Sequence, residues 1–271
     1  MFRSAGMRNL FLAPFCVWAG IFIFVPLLFI VWYGVTNEAG AFTLENLATI
    51  FQTEFFYSLE WSVVLALVST VVCLVLAYPL CLILVERAKS AGVIITLLFI
   101  LPLWMNTLLS TMAWQTILEK NGVLNQFLRL LSLPDFTLIN TSAAVVIGMI
   151  YNYLPYMVLP LYVSLSKIDR SVIEAAKDLG ATAWQTFTKV ILPLSLPGAV
   201  SGITMVFIPA LTTFAISALL GGGKILLIGN VIEQEFTVEY DWHLGAALSI
   251  VLMIFIVLNM ILTMIFDKGA D

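Results

Sequence analysis

Cutting this sequence at every Asp, Glu, Lys and Arg leaves six uncharged stretches, residues 9–37, 61–85, 90–118, 136–166, 190–223 and 242–266. Each is longer than the ~20 residues that carry a helix across ~30 Å of hydrocarbon. Lipid offers no water to backbone N–H and C=O groups, so a spanning segment must be a helix or a strand of a closed barrel. Barrel strands are runs of about ten residues with alternating character, and these stretches are too long and too uniformly apolar. Composition agrees, since 62% of the 271 residues are hydrophobic and 10% charged, against roughly 25% charged in a soluble domain. The sequence therefore reads as an all-α membrane protein of six transmembrane helices. It forms a single domain over 1–271, with helices near 10–35, 58–85, 91–117, 139–166, 191–220 and 244–266. The first stretch follows Arg3 and Arg8, as a signal peptide would. Its apolar part is too long for that role and no small-residue cleavage site closes it, so it counts as the first helix.

Loops rich in Lys and Arg stay cytoplasmic. With the N-terminus inside, Arg3, Arg8, Arg87, Lys89, Lys167, Arg170, Lys177, Lys189 and Lys268 are cytoplasmic, and only Lys120, Arg129 and Lys224 are outside. Both termini are then cytoplasmic. Ten carboxylates, Glu38, Glu45, Glu54, Glu60, Glu119, Asp135, Glu233, Glu235, Glu239 and Asp241, join those three cations outside, for a net −7 against +3 inside. Depletion of outer cations explains this by topology alone, while an acidic mouth would also favour a cationic solute or its carrier.

The connection at 167–190 is the longest on the cytoplasmic side and has helical signals of its own. Ser171-Val172-Ile173-Glu174 has the spacing of a capping box, in which hydroxyl and carboxylate each satisfy a free backbone N–H. The helix runs on through Ala175, Ala176, Lys177, Asp178 and Leu179 to Gly180, a residue that tolerates the left-handed conformation closing a helix. Thr182-Ala183-Trp184-Gln185 is a second box, opening a short helix with Trp184, Phe187 and Ile191 on one face, and Pro193 closes the loop at the membrane. Helix, glycine turn and helix make an elbow suited to transmitting force, although an ordinary amphipathic loop has the same pattern.

Several classes are excluded or disfavoured. Gly221-Gly222-Gly223-Lys224 continues with Ile225 and lacks the spacing of a phosphate loop, so it reads as a turn. Cys16, Cys73, Cys81 and the single His243 show no metal-ligand spacing or disulfide framework. No Asp, Glu, Lys, Arg or His lies in the interior of the six stretches, which disfavours a proton-coupled carrier. Prolines 79, 102, 155, 160, 197 and 209 punctuate the helices, and such interruptions in transporters often line a cavity. The polar and aromatic residues Trp104, Asn106, Tyr151, Asn152, Thr213, Phe214 and Ser217 are the candidate solute path, since rings hold ammonium groups by cation–π attraction. Hydrogen bonding between helices is the alternative role for each.

Glu174-Ala175-Ala176, Gly180 and Val190-x-Leu192-Pro193 resemble the EAA loop of permease subunits in bacterial ABC importers that use a binding protein. Only Val190 departs from the pattern, where the family has Ile. The resemblance covers nearly the whole chain and implies a type I importer-permease (MetI-like) bundle in the bacterial cytoplasmic membrane. It further implies ATPase-coupling roles for Glu174, Ala175, Ala176, Asp178, Gly180, Leu192 and Pro193. The implied partners are a second homologous permease, two ATPase subunits, an extracytoplasmic solute-binding protein and the lipid bilayer, with no nucleic acid. On this reading the chain is not an enzyme and holds no cofactor or metal, ATP and Mg being bound by partner subunits.

Leu101-Pro102-Leu103-Trp104-Met105-Asn106, Asn121-Gly122-Val123-Leu124-Asn125, Gly221 through Asn230, and Asp241-Trp242 with Gly245-Ala246-Ala247 resemble more narrowly the B-type permeases of spermidine/putrescine importers. That subgroup carries an acidic residue in the fifth stretch, where this chain has Ala215 and Ala218 around Ser217. A permease for phosphonate, sulfate or ferric iron is the alternative within the class, and a secondary transporter the alternative outside it.

Overall fold

The computed structural model describes residues 13–87 and 101–268. These residues are helical apart from short connections, and among them the only β-pairing is an isolated antiparallel bridge between Thr36 and Phe42. Among the described residues five helices are long and apolar enough to cross a membrane: Ala13–Gly34, Glu54–Glu86, Ser142–Ser166, Ala183–Thr212 and Trp242–Ile261. The expected third span, 91–117, is described only from residue 101, and Arg3, Arg8 and Lys89 also lie outside the described residues.

We label the helices α1 (Ala13–Gly34), α2 (Thr53–Arg87), α3 (Thr107–Leu118), α4 (Val123–Leu130), α5 (Ser142–Ser166), α6 (Arg170–Asp178), α7 (Ala183–Thr212), α8 (Ala215–Gly221), α9 (Ile228–Gln234) and α10 (Trp242–Lys268). Two compact units divide the chain. One comprises residues up to Phe56 together with Val231–Phe255, and the other Tyr57–Asn230 with the segment from Ile256 onward.

In the first unit α1 approaches α10 closely. A Cβ on Gly34 would lie 3.2 Å from the Ala247 nitrogen and push against the Ile250 side chain, so glycine lets the two helices meet closely. The imidazole of His243 bonds to the Tyr33 carbonyl at 2.9 Å, and the Tyr33 ring meets the His243 ring edge-on at 5.3 Å.

The second unit is built on α5 packed along α7. Their contact uses small residues: a methyl on Gly198 would sit 2.8 Å from the Pro160 carbonyl and collide with Ser164. Close backbone approach through small residues is how helices associate in lipid, where apolar side chains gain nothing by leaving the solvent. The core comprises Met149, Met157, Leu161, Val206, Leu211 and Ile216, all fully buried. Serine and threonine hydroxyls inside the helices mostly bond back to the carbonyl four residues earlier, as Ser62, Thr70 and Thr204 do, which hides their polarity.

Two expected spans are not continuous. The described part of the stretch 91–117 is not a single helix, because a 3-10 turn at Leu101–Trp104 precedes Asn106, whose side chain accepts from the N–H groups of Leu108 and Leu109 and so begins α3. The stretch 191–220 breaks at Thr213–Phe214, with Thr213 extended (φ −66°, ψ 140°) between α7 and α8. The prolines inside α2, α5 and α7 leave those helices continuous.

Candidate functional site

The 167–190 loop carries the first candidate site. Helix α6 is capped by Asp169, whose carboxylate accepts from the Ser171 N–H at 3.0 Å. The expected Ser171–Glu174 box does not form. A carboxylate two residues earlier competes for the same free N–H groups, and its charge suits the positive end of the helix. That backbone bond holds the Asp169 carboxyl below its usual pKa. At the other end Gly180 donates to the Lys177 carbonyl (2.9 Å) and Ala181 to that of Ala176 (3.0 Å), with Gly180 at φ +81°. This is the doubly bonded glycine stop of a Schellman motif.

Thr182 and Gln185 form the reciprocal capping box that opens α7. The second short helix does not end at Pro193, however. A π-turn at Phe187–Ile191 joins it to the fifth span without a gap. A proline clashes with the carbonyl four residues earlier, and the widened turn immediately ahead of Pro193 takes up that misfit.

No residue of α6 is buried. Glu174, Ala175, Asp178 and Gly180 are exposed and Ala176 partly so. Leu179 is 90% and Trp184 72% exposed, so the elbow offers an apolar tip with charge beside it. Leu192 is partly buried and Pro193 exposed at the start of the span.

The second candidate site lies at the two helix interruptions, with α5 touching both. The Tyr151 hydroxyl reaches the Met105 sulfur at 3.9 Å, and its ring meets Trp114 edge-on at 5.4 Å. Two residues on, the Tyr153 hydroxyl donates to the Pro209 carbonyl at 3.2 Å, one turn before the second break. Trp104 (85%) and Phe214 (48%) expose their rings beside these breaks. Asn152 turns its amide to the Gly148 carbonyl of its own helix.

Thr213 and Ser217 are buried. The Ser217 hydroxyl meets Asn230 Oδ1, and Asn230 Nδ2 donates to the Phe214 carbonyl at 2.9 Å. Sequence reasoning missed Trp114 and the structural part of Asn230. The segment around Asn230 carried only a likeness, with no local signal of what its amide does.

A cavity of about 510 Å³ in the first unit is lined by Tyr33, Glu38, Glu239, Tyr240, Asp241, Trp242 and His243. Partial burial, then the charges of Asp241 and Glu239, push the nearby Glu235 carboxyl up from its usual pKa. In the second unit, Arg129 in the last turn of α4 pairs with Asp135 at 2.7 Å, which lowers the Asp135 pKa. Among the described residues no His, Cys, Asp and Glu group could hold a metal.

Residues 2–270 match the family of binding-protein-dependent transport system inner membrane components. The chain belongs to that family. Among its relatives, the spermidine/putrescine transport system permease protein PotB of Escherichia coli K12 is 39% identical over 88% of this chain and 89% of its own length. PotB of Salmonella typhimurium LT2 is 38% identical over 94% and 91%. The inner membrane ABC transporter permease protein YdcU of Escherichia coli K12 is 29% identical over 93% and 87%. The permease fold is shown by a bacterial ABC transporter for the acidic polysaccharide alginate, at TM-score 0.82 and 17% identity, covering 97% of this chain and 95% of that one. The inward-facing methionine transporter MetNI matches at TM-score 0.58 and 18% identity, covering 80% and 95%. This inner-membrane family makes the chain a multi-pass permease of an ABC importer.

Proposed function

We propose that this permease carries polyamines, spermidine or putrescine, across the bacterial cytoplasmic membrane after an extracytoplasmic binding protein delivers them. The observation that carries the proposal is 38–39% identity to spermidine/putrescine permeases over about nine-tenths of both chains. The site chemistry supports it. Rings at Trp104, Tyr151 and Phe214 offer π-faces to ammonium groups without a buried charge, while Asn106 and Asn152 use their amides on helix backbone beside them. Irregular backbone at membrane depth is tolerated where it borders a water-filled path, and both interruptions in this chain bring such rings to the surface.

In this reading six helices span the membrane with both termini in the cytoplasm, and the cavity beside Glu38, Glu239 and Asp241 faces outward. A second, related permease completes the pathway. Two ATPase subunits bind ATP and Mg and close on nucleotide, and their motion reaches the bundle through Glu174, Ala175, Ala176, Asp178 and Gly180, then Leu192 and Pro193. This chain performs no covalent chemistry.

The test is uptake of labelled spermidine, putrescine and sulfate by proteoliposomes holding the full transporter and its binding protein. Saturable, ATP-dependent uptake of a polyamine is expected, competed by the other polyamine and indifferent to sulfate. Saturable anion uptake alone, or polyamine uptake that survives ATP depletion, would overturn the proposal.

A further inference from the structure

The interruption between α7 and α8 is held by a side chain from elsewhere in the sequence. Asn230 is 7% exposed, and all its amide atoms are engaged there. Nδ2 donates to the Phe214 carbonyl at 2.9 Å, while Oδ1 accepts from the Leu227 N–H at 3.2 Å and faces the Ser217 hydroxyl. The Phe214 carbonyl also receives the Ala218 N–H at 2.9 Å as the first bond of α8. One amide thus ties the residue at the break, the first turn of the helix after it, and the segment leading into α9.

The neighbouring backbone is fitted to the same place. A Cβ on Gly229 would lie 2.7 Å from each of the Thr212 and Thr213 carbonyl oxygens, so the chain passes directly over the broken turn. The Ile228 N–H donates to the Ser62 hydroxyl of α2 at 2.7 Å, anchoring the segment that presents Asn230. Buried polar groups left without partners are costly, whereas a fully satisfied set rigidifies its surroundings. Phe214 itself remains 48% exposed beside this network.

We propose that Asn230 is a positioning residue that fixes the Thr213–Phe214 break and thereby the presentation of the Phe214 ring to the transported cation. The inference rests on the reading of this break as part of the translocation path. Asn230 does not touch the solute. Its carboxamide supplies a donor and an acceptor about two bonds apart, which Ser and Asp supply only in part and Leu not at all. Without it the Phe214 backbone rotates among conformers, and the ring spends less time where an ammonium group can meet it.

The test uses the complete transporter with its binding protein, comparing Asn230→Ser, Asn230→Gln and Phe214→Ala for spermidine uptake at matched membrane levels. Asn230→Ser is expected to raise KM about tenfold, equivalent to ~1.4 kcal/mol, with the maximal rate per molecule kept. Asn230→Gln is expected to recover part of that loss. In parallel, Phe214→Cys is labelled with a water-soluble thiol reagent after Cys16→Ala, with and without Asn230→Ser. Its labelling rate should change severalfold, whereas a residue serving only stability would lower the amount of protein and leave the rate per molecule unchanged. An unchanged KM and an unchanged labelling rate in Asn230→Ser, with Phe214→Ala raising KM, overturns the role of Asn230 alone. An unchanged KM in Phe214→Ala overturns the pathway reading beneath it.

Discussion

Replacing Gly180 isolates the contribution of the elbow, because the position is strained for other residues yet sterically open. Its φ of +81° lies in the left-handed region, and a Cβ built there meets nothing within 4 Å. The cost of Gly180→Ala is therefore the backbone cost alone, roughly 1–2 kcal/mol for an L-residue in this conformation. At about 1.4 kcal/mol per factor of ten, the doubly bonded stop loses roughly five- to thirty-fold in its equilibrium. Gly180→Asn should lose least, since asparagine visits this region more readily. Gly180→Pro should lose most, because its ring fixes φ near −65° and removes the N–H that donates to the Lys177 carbonyl at 2.9 Å. The assay is uptake and ATP hydrolysis measured together in proteoliposomes of the full transporter. Uptake per ATP should fall in the order Gly, Asn, Ala, Pro while the permease stays in the membrane at normal levels. Full coupled transport by Gly180→Pro, or equal coupling across the series, would refute the claim that this turn transmits force.

Two further predictions follow from the packing and the charges. Gly198→Ala drives a methyl into Ser164 and the Pro160 carbonyl, an overpacking worth about 1–3 kcal/mol, so the purified complex should melt at lower temperature. An unchanged melting temperature would contradict the close contact of α5 with α7. The raised pKa of Glu235 means that its neutral form is the better accommodated one. Its stabilising effect is complete below the usual carboxylate range and fades as pH rises through the raised value. Protection factors for hydrogen exchange in the 231–241 segment should fall over that interval in the parent protein and show no such step in Glu235→Gln.

What the sequence made legible was local. Gly180 and the Thr182–Gln185 box act within a few residues of themselves, and they lie where their spacing put them. The cap of α6 was misplaced by two positions because Asp169 and Ser171 both qualify and only the folded backbone selects between them. Asn106 looked like a pathway amide, yet its side chain begins a helix. The second break was invisible for a different reason: it is made by Asn230, 16 residues beyond Phe214, and by Gly229 passing over the Thr212 carbonyl. Apolar stretches look uniform across such a break, since contacts from outside the segment decide it. Pro193 suggested a boundary, but the π-turn just ahead of it takes up the misfit locally and keeps the helix whole.

That continuity has a mechanical consequence. The 30 residues of Ala183–Thr212 rise about 1.5 Å each, a rod of roughly 45 Å with one end at the exposed elbow and the other at the Thr213–Phe214 interruption. The helix stays unbroken through the π-turn at Phe187–Ile191 and past Pro197 and Pro209, so a tilt imposed beside Thr182 is carried along it toward the far end. There the chain turns over the two residues after Thr212, and movement applied at the elbow arrives at the break that Asn230 holds in place.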